Sequence, residues 1–296
     1  MSISVSRRKL LAAAAASAAF APLVKAAEQA KAAPIRQGRL KQSVMATVWG
    51  RDSPFNFVQR CEILSMLGFQ GVDLVQPDQV PILTDHGLAP ALMVAGGTSF
   101  NDGLIRKELH DKIVDATHES IDMAVRVGCP TLISMPGNRR GMSHEEAADH
   151  AIEVLKRIAP YAEQKGITLC TEITNSKVAA DQRTDQAFDD INWGIKVCRA
   201  VASPRIKILY DIYHVQISNG DVVRTLKDNF DLCAHFHVAG VPSRAEIDDG
   251  QELNFHWIAK QIADLNYQGY IAHEWRPSPG RNPLLSLATC FDILVV

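Results

Sequence analysis

Three acids and one histidine stand at or near the ends of short apolar runs in the second half of this sequence. Ile167-Thr-Leu-Cys-Thr171 runs into Glu172, and Ile206-Lys-Ile-Leu-Tyr210 runs into Asp211. Cys233-Ala-His-Phe-His237 carries His237 close to its end, and Tyr270-Ile-Ala-His273 runs into Glu274. Short apolar, β-rich runs of this kind read as buried strands. Each of the four side chains is therefore placed at the same end of its strand. One such acid alone reads equally well as a helix cap or turn former. Four metal-competent groups at equivalent places on consecutive strands point instead to one shared centre. Three carboxylates and an imidazole form a mostly hard oxygen donor set, suited to a single Mn²⁺, Mg²⁺ or Co²⁺ and admitting Zn²⁺. The sequence has no His-Glu-x-x-His pattern and no Cys/His cluster that would indicate a structural or protease zinc site.

The elements that must hold these groups form a rhythm of short β-rich runs and longer amphipathic runs. Strands are expected at Ser43–Val48, Gly71–Val75, Ala91–Ala95 and Thr131–Met135 ahead of the four above. Glycines close the helices expected at Phe55–Leu67 and Asp111–Val127, and Ser143 with Glu146 marks the start of a helix running to Lys165. Further helices are expected over Gln186–Ala202, from Asp221, over Phe255–Leu265 and over Pro283–Leu294. Eight strand–helix units predict a single-domain α/β fold, a (β/α)8 TIM barrel over 43–296. An open doubly wound sheet would carry a G-x-G-x-x-G turn after its first strand, and none is present. In such barrels catalytic groups collect at the C-terminal ends of the strands, where all four residues fall.

Composition narrows the function classes. The chain has 296 residues, 22% charged and 47% hydrophobic, with a net charge of −2. That excludes disorder and a nucleic-acid binder driven by bulk charge. Residues 1–26 combine Arg7-Arg8-Lys9, an alanine-rich apolar run and a small-residue site near Ala26, the pattern of a twin-arginine signal peptide. A polar linker is expected over 27–42. The expected location is periplasmic or otherwise exported, with no stable membrane insertion after cleavage. The six cysteines form no C-x-x-C pair and read as reduced core residues.

Several other residues have two readings. His214, three residues past Asp211, reaches the same mouth to touch substrate or packs a loop. His235, two residues before His237, shares its face and is expected one layer deeper as a buried partner. His273 alternates with Glu274 and is expected to face the helices. Trp49 either walls a substrate or packs in the core. Substrate choice is expected to depend on loops such as Asp73-Leu-Val-Gln-Pro77, Gly96-Gly-Thr-Ser99 and Pro136-Gly-Asn-Arg-Arg140. Arg139 and Arg140 read chiefly as a solvated loop.

The chain resembles the xylose-isomerase-like barrel superfamily, and within it the hydroxypyruvate isomerase family, close to the ketose 3-epimerases. The stretches that carry this are Thr171-Glu172-Ile-Thr-Asn175, Tyr210-Asp211-Ile-Tyr-His214-Val-Gln216, His235-Phe-His237-Val-Ala-Gly-Val-Pro-Ser-Arg244-Ala-Glu246 and Gly269-Tyr-Ile-Ala-His-Glu274. The resemblance implies that Glu172, Asp211, His237 and Glu274 bind one divalent metal. It implies that Glu172 and Glu274 are the acid/base pair and that His214 and Arg244 hold substrate oxygens. The expected reaction is isomerisation of a small α-hydroxy-carbonyl compound of the hydroxypyruvate or tartronate semialdehyde type, by proton transfer through an enediolate. His237 is the epimerase-like choice at its strand, so a ketose 3-epimerase with the same site is the alternative. A non-catalytic exported sugar-binding barrel is a further one. An endonuclease for abasic DNA would need more histidines and a basic groove.

Overall fold

The computed structural model describes residues 38–178 and 185–296. The expected leader at 1–26 and residues 27–37 of the linker expected over 27–42 lie outside the described residues; Lys41 and Gln42, at the end of that expected linker, belong instead to the first strand. Eight parallel strands close on themselves in sequence order. They are β1 (Lys41–Val44), β2 (Gly71–Asp73), β3 (Ala89–Val94), β4 (Thr131–Ser134), β5 (Thr168–Glu172), β6 (Ile206–Asp211), β7 (Cys233–Val238) and β8 (Tyr270–His273). Around them run α1 (Phe57–Leu67), α2 (Val80–Asp85), α3 (His110–Val127), α4 (His144–Lys165), α5 (Ile191–Val201), α6 (Ile212–Ser218), α7 (Val222–Asp228), α8 (Phe255–Asp264) and α9 (Pro283–Ile293). β1 pairs with β8 from Lys41 opposite Tyr270 to Val44 opposite His273, which closes the barrel. This is the expected single (β/α)8 architecture.

Local chemistry accounts for most boundaries. Ser143 accepts the Glu146 backbone N–H to open α4, and Gly166 closes it in the left-handed region. The reciprocal bond of a capping box is present instead at α1, between Asn56 and Gln59. Three expectations shift. β1 begins at Lys41 and ends at Val44, because Ala46–Trp49 turns into a 3₁₀ helix that buries Val48 and Trp49. The helix expected over Gln186–Ala202 starts only at Ile191: the Asp190 side chain caps it, and Gln186 pairs with Asn138 in an isolated bridge. A short helix, α6, follows β6 directly, which the sequence did not suggest.

The core has two parts. The large one lies between strands and helices, and all helices except α2 and α7 feed it with three or more buried side chains. The small one fills the barrel interior with Leu92, Ile133, Met135, Cys170 and Leu209. These side chains plug the barrel as packed layers do in this architecture. The polar groups discussed next stand on the same strands. All six cysteines are unbridged, five of them buried.

Candidate active site

Strand alternation puts Cys170 with Glu172, Leu209 with Asp211 and His235 with His237 on one side of the sheet. Asp211 stands opposite His237 in the β6–β7 register, and His237 opposite Ala272 in β7–β8. Glu274 follows β8, held by its backbone N–H donating to the Val238 carbonyl at 2.9 Å. The result is that one donor atom from each of Glu172, Asp211, His237 and Glu274 lies within 4.8 Å of the others. None is more than 4% exposed.

Asp211 does two jobs. Its Oδ1 accepts the backbone N–H groups of Tyr213 at 2.9 Å and His214 at 3.4 Å, capping α6. Its Oδ2 is buried, makes no hydrogen bond and lies 3.5 Å from His214 Nε2. His237 Nδ1 faces the acids, 2.9 Å from Glu274 Oε2 and 3.6 Å from Glu172 Oε1. Burial and then the charge of Glu274 push Asp211 up to about 8, against the pull of Arg244. Burial works against protonation of His237, but the Glu274 charge and hydrogen bonds to Asp73, Glu172 and Glu274 push it well above its ordinary range. Asp211 is thereby held toward its protonated form. An uncommitted carboxylate oxygen, converging carboxylates and a hard donor set all fit a divalent ion.

The two substrate candidates flank this cluster. His214 is fully buried, with Asn175 Nδ2 at 2.6 Å from its Nδ1. Asn175 Oδ1 accepts the backbone N–H groups of Lys177 and Val178, which orients its amide as a donor toward the ring. That makes His214 Nδ1 an acceptor and leaves Nε2 to carry the proton. Arg244 places Nη2 2.9 Å from Glu274 Oε1 and packs its guanidinium 5.2 Å from the Tyr213 ring centre. Its loop turns at Gly240, whose backbone N–H donates to the Ala245 carbonyl. Glu246, two residues on, is taken up by Ser278 and Ser286 and anchors that loop.

His235 is the expected buried partner, and His273 faces the helices, meeting Phe69 edge-to-face and bonded to Gln42. Trp49 is buried beside Phe55 and Arg60. Arg140 pairs with Asp102, and Arg139 approaches Asp185. Asp73 is the residue whose role the sequence reading missed. It appeared there as the start of a loop expected to govern substrate choice, whereas its carboxylate is buried in the barrel against Ser43, His235 and His237. The available signal was an acid inside the run expected as the second strand, Gly71–Val75; the structure ends that strand at Asp73.

The profile described as "Xylose isomerase-like TIM barrel" matches residues 63–288. The chain is similar to a putative hydroxypyruvate isomerase of Xenopus laevis, 28% identical over 172 residues, a region covering 56% of this chain and 62% of that protein. It is also similar to a 2-oxo-tetronate isomerase of Pectobacterium atrosepticum, 25% identical over 242 residues, covering 75% of this chain and 87% of that one. Among solved structures it superposes on an AP endonuclease, family 2 from Brucella melitensis with a TM-score of 0.73 at 21% identity, covering 86% of this chain and 99% of that one. It superposes on a D-psicose 3-epimerase from Clostridium cellulolyticum H10 with a TM-score of 0.70 at 12% identity, covering 86% and 98%. At those identities the structural likenesses speak for the barrel alone.

Proposed function

The chain belongs to the xylose isomerase-like TIM barrel family, and from that premise we propose that it is a divalent-metal-dependent isomerase or epimerase of a small α-hydroxy-carbonyl compound. The observation that carries this reading is the convergence of Glu172, Asp211, His237 and Glu274 from four consecutive strand ends. Its similarity to proteins named for hydroxypyruvate and 2-oxo-tetronate isomerisation favours a short hydroxy-oxo acid as substrate. These four residues would hold the ion, which supplies polarisation of the substrate carbonyl and a counter-charge for its developing oxyanion.

The chain's own residues supply the rest. Glu172, at the end of β5, and Glu274, just after β8, reach the shared centre from strands with β6 and β7 between them. One carboxylate takes the proton from the hydroxyl-bearing carbon. A carboxylate then returns it to the neighbouring carbon in an isomerisation, or to the opposite face of the same carbon in an epimerisation. Arg244, 2.9 Å from Glu274 Oε1, would hold that carboxylate in place beside the substrate. His214, whose Nε2 lies 3.5 Å from Asp211 Oδ2 at the edge of the cluster, would donate to a substrate oxygen. The buried surroundings keep bulk water from the carbanion-like species.

We further propose that the protein acts outside the cytoplasm, on the strength of the twin-arginine pattern in residues 1–26. Its expression with and without that segment, followed by cell fractionation, tests this separately.

The activity test incubates the Mn²⁺-, Mg²⁺- or Co²⁺-loaded protein with hydroxypyruvate, tartronate semialdehyde and a ketose panel in deuterated water. Solvent deuterium at the carbon beside the carbonyl, with conversion to the isomer, is expected for one of them. Binding without any label in substrate or product would leave a sugar-binding barrel and remove the enzyme.

A further inference from the structure

We infer that Asp73 is a positioning residue that fixes the tautomer of His237, so that Nδ1 faces the metal centre as a bare donor; this rests on the metal-dependent reading above. His237 spans the barrel interior with its two nitrogens in different surroundings. Nδ1 points at Glu274 and Glu172. Nε2 points the other way, 3.2 Å from Asp73 Oδ2. A carboxylate only accepts, so the proton of a neutral His237 belongs on Nε2, and the lone pair of Nδ1 is left on the side of the acids.

Asp73 is held to this task from three sides. Ser43 on β1 donates to Oδ1 at 2.7 Å, and His235 on β7 contacts Oδ2 at 2.6 Å. The backbone is shaped for it as well. The β2–β3 register slips between Val72 and Asp73, and the next residue, Leu74, has φ +56°, in the left-handed region that a bulky side chain rarely adopts. A slip of this kind re-aims the side chain at the end of a strand. On β7 the pairing skips from Cys233 to His235, a second irregularity on the strand that carries both histidines.

Asp73, His235 and His237 also lie close enough together to form a metal-binding group of their own. Oδ2 of Asp73 is engaged by both histidines, and Oδ1 by Ser43. The structure therefore assigns this trio to orientation, with one ion per chain at the four-residue centre. Carboxylates that accept from the far nitrogen of a metal-bound histidine typically change metal affinity by about 10- to 100-fold when removed.

The test uses the full chain with ¹⁵N-labelled histidine and one equivalent of Zn²⁺. Two-bond ¹H–¹⁵N correlation is expected to show His237 protonated at Nε2 and metal-shifted at Nδ1. Metal titration of Asp73→Asn is expected to show roughly 10- to 100-fold weaker Zn²⁺ and Mn²⁺ binding, with a disturbed His237 signal. A wild-type spectrum with Nε2 as the metal-bound nitrogen, a second ion bound by the trio, or an Asp73→Asn variant with unchanged affinity would each overturn the inference while sparing the functional reading. A wild-type protein that binds no divalent ion would bring down both. If Asp73→Asn fails to fold, the wild-type spectrum and stoichiometry still decide.

Discussion

Asp211 shows how one side chain satisfies a structural reading and a functional one together. Its Oδ1 ends β6 and caps α6, while Oδ2 is left inside a nest of like charges. In the metal-free protein burial and Glu274 raise its pKa from 3.8 to about 8. A carboxylate raised on folding contributes stability that is complete below its unfolded pKa and is lost as pH rises through the folded one. His237, also raised, loses its contribution in the same direction, above 6.5. The melting temperature of chelator-treated protein is therefore expected to fall between pH 5 and pH 8. Asp211→Asn, which keeps a capping oxygen, is expected to flatten that fall while eliminating tight metal binding; parallel melting and titration series check both. At the same scale, Glu172→Gln and Glu274→Gln are expected to lower kcat by at least about 10²-fold each. Near-normal turnover in either would remove that residue from the proton transfer. The four donors were legible in the sequence because each follows a run whose strand character is plain. Asp73 was not, because its role depends on partners up to 164 positions away, His235 and His237.

The elements divide in the same way. Helices with strong local signals, such as α4 with Ser143 before it and Gly166 after it, fall where their residues predict. The irregular pieces do not. The slip at Asp73 and the skipped pairing before His235 are properties of register between strands, and no local pattern announces them. The turn into Ala46–Trp49 is likewise decided by where Val48 and Trp49 find cover. The loop carrying Arg244 is another such piece. Gly240 pairs with Ala245, and a Cβ at Gly240 would overlap the Glu246 carbonyl oxygen. Gly240→Ala is therefore expected to displace Arg244, raising KM by more than it lowers metal affinity. Steady-state kinetics beside metal titration separate the two effects, and an affinity loss equal to the KM change would place Gly240 in the metal site's support. An adjoining element titrates oppositely to Asp211. Burial lowers His273 to about 3 in the fold, so its contribution is complete above pH 6.5 and is lost as pH falls toward 3. The loaded protein is expected to weaken on that acid limb, and His273→Gln, which can still bond Gln42, to weaken less.

At the scale of the whole barrel, the proposed ion ties together donors from β5, β6, β7 and the residue after β8, half of the closed sheet. Without it, those strand ends bring three buried carboxylates together, with His237 and Arg244 among the groups that face them. The chain therefore has a built-in reason to be less stable without metal than its packed core alone would make it. Because the unfolded chain does not preserve the four-donor arrangement, binding acts on the folded state and stabilises it by mass action. At a free metal concentration 100 times the dissociation constant this amounts to about 2.7 kcal/mol. For a domain of this size each kcal/mol shifts the melting temperature by roughly 2–4 °C, so a rise of about 5–10 °C is expected. The rise should continue with the logarithm of metal concentration and should be larger for Mn²⁺ than for Mg²⁺ at equal concentration, since the imidazole donor favours the softer ion. It should vanish on chelation and be absent in Asp211→Asn. Scanning calorimetry across a metal series checks this, and a melting temperature indifferent to every divalent ion would mean that the four side chains converge for a structural reason alone.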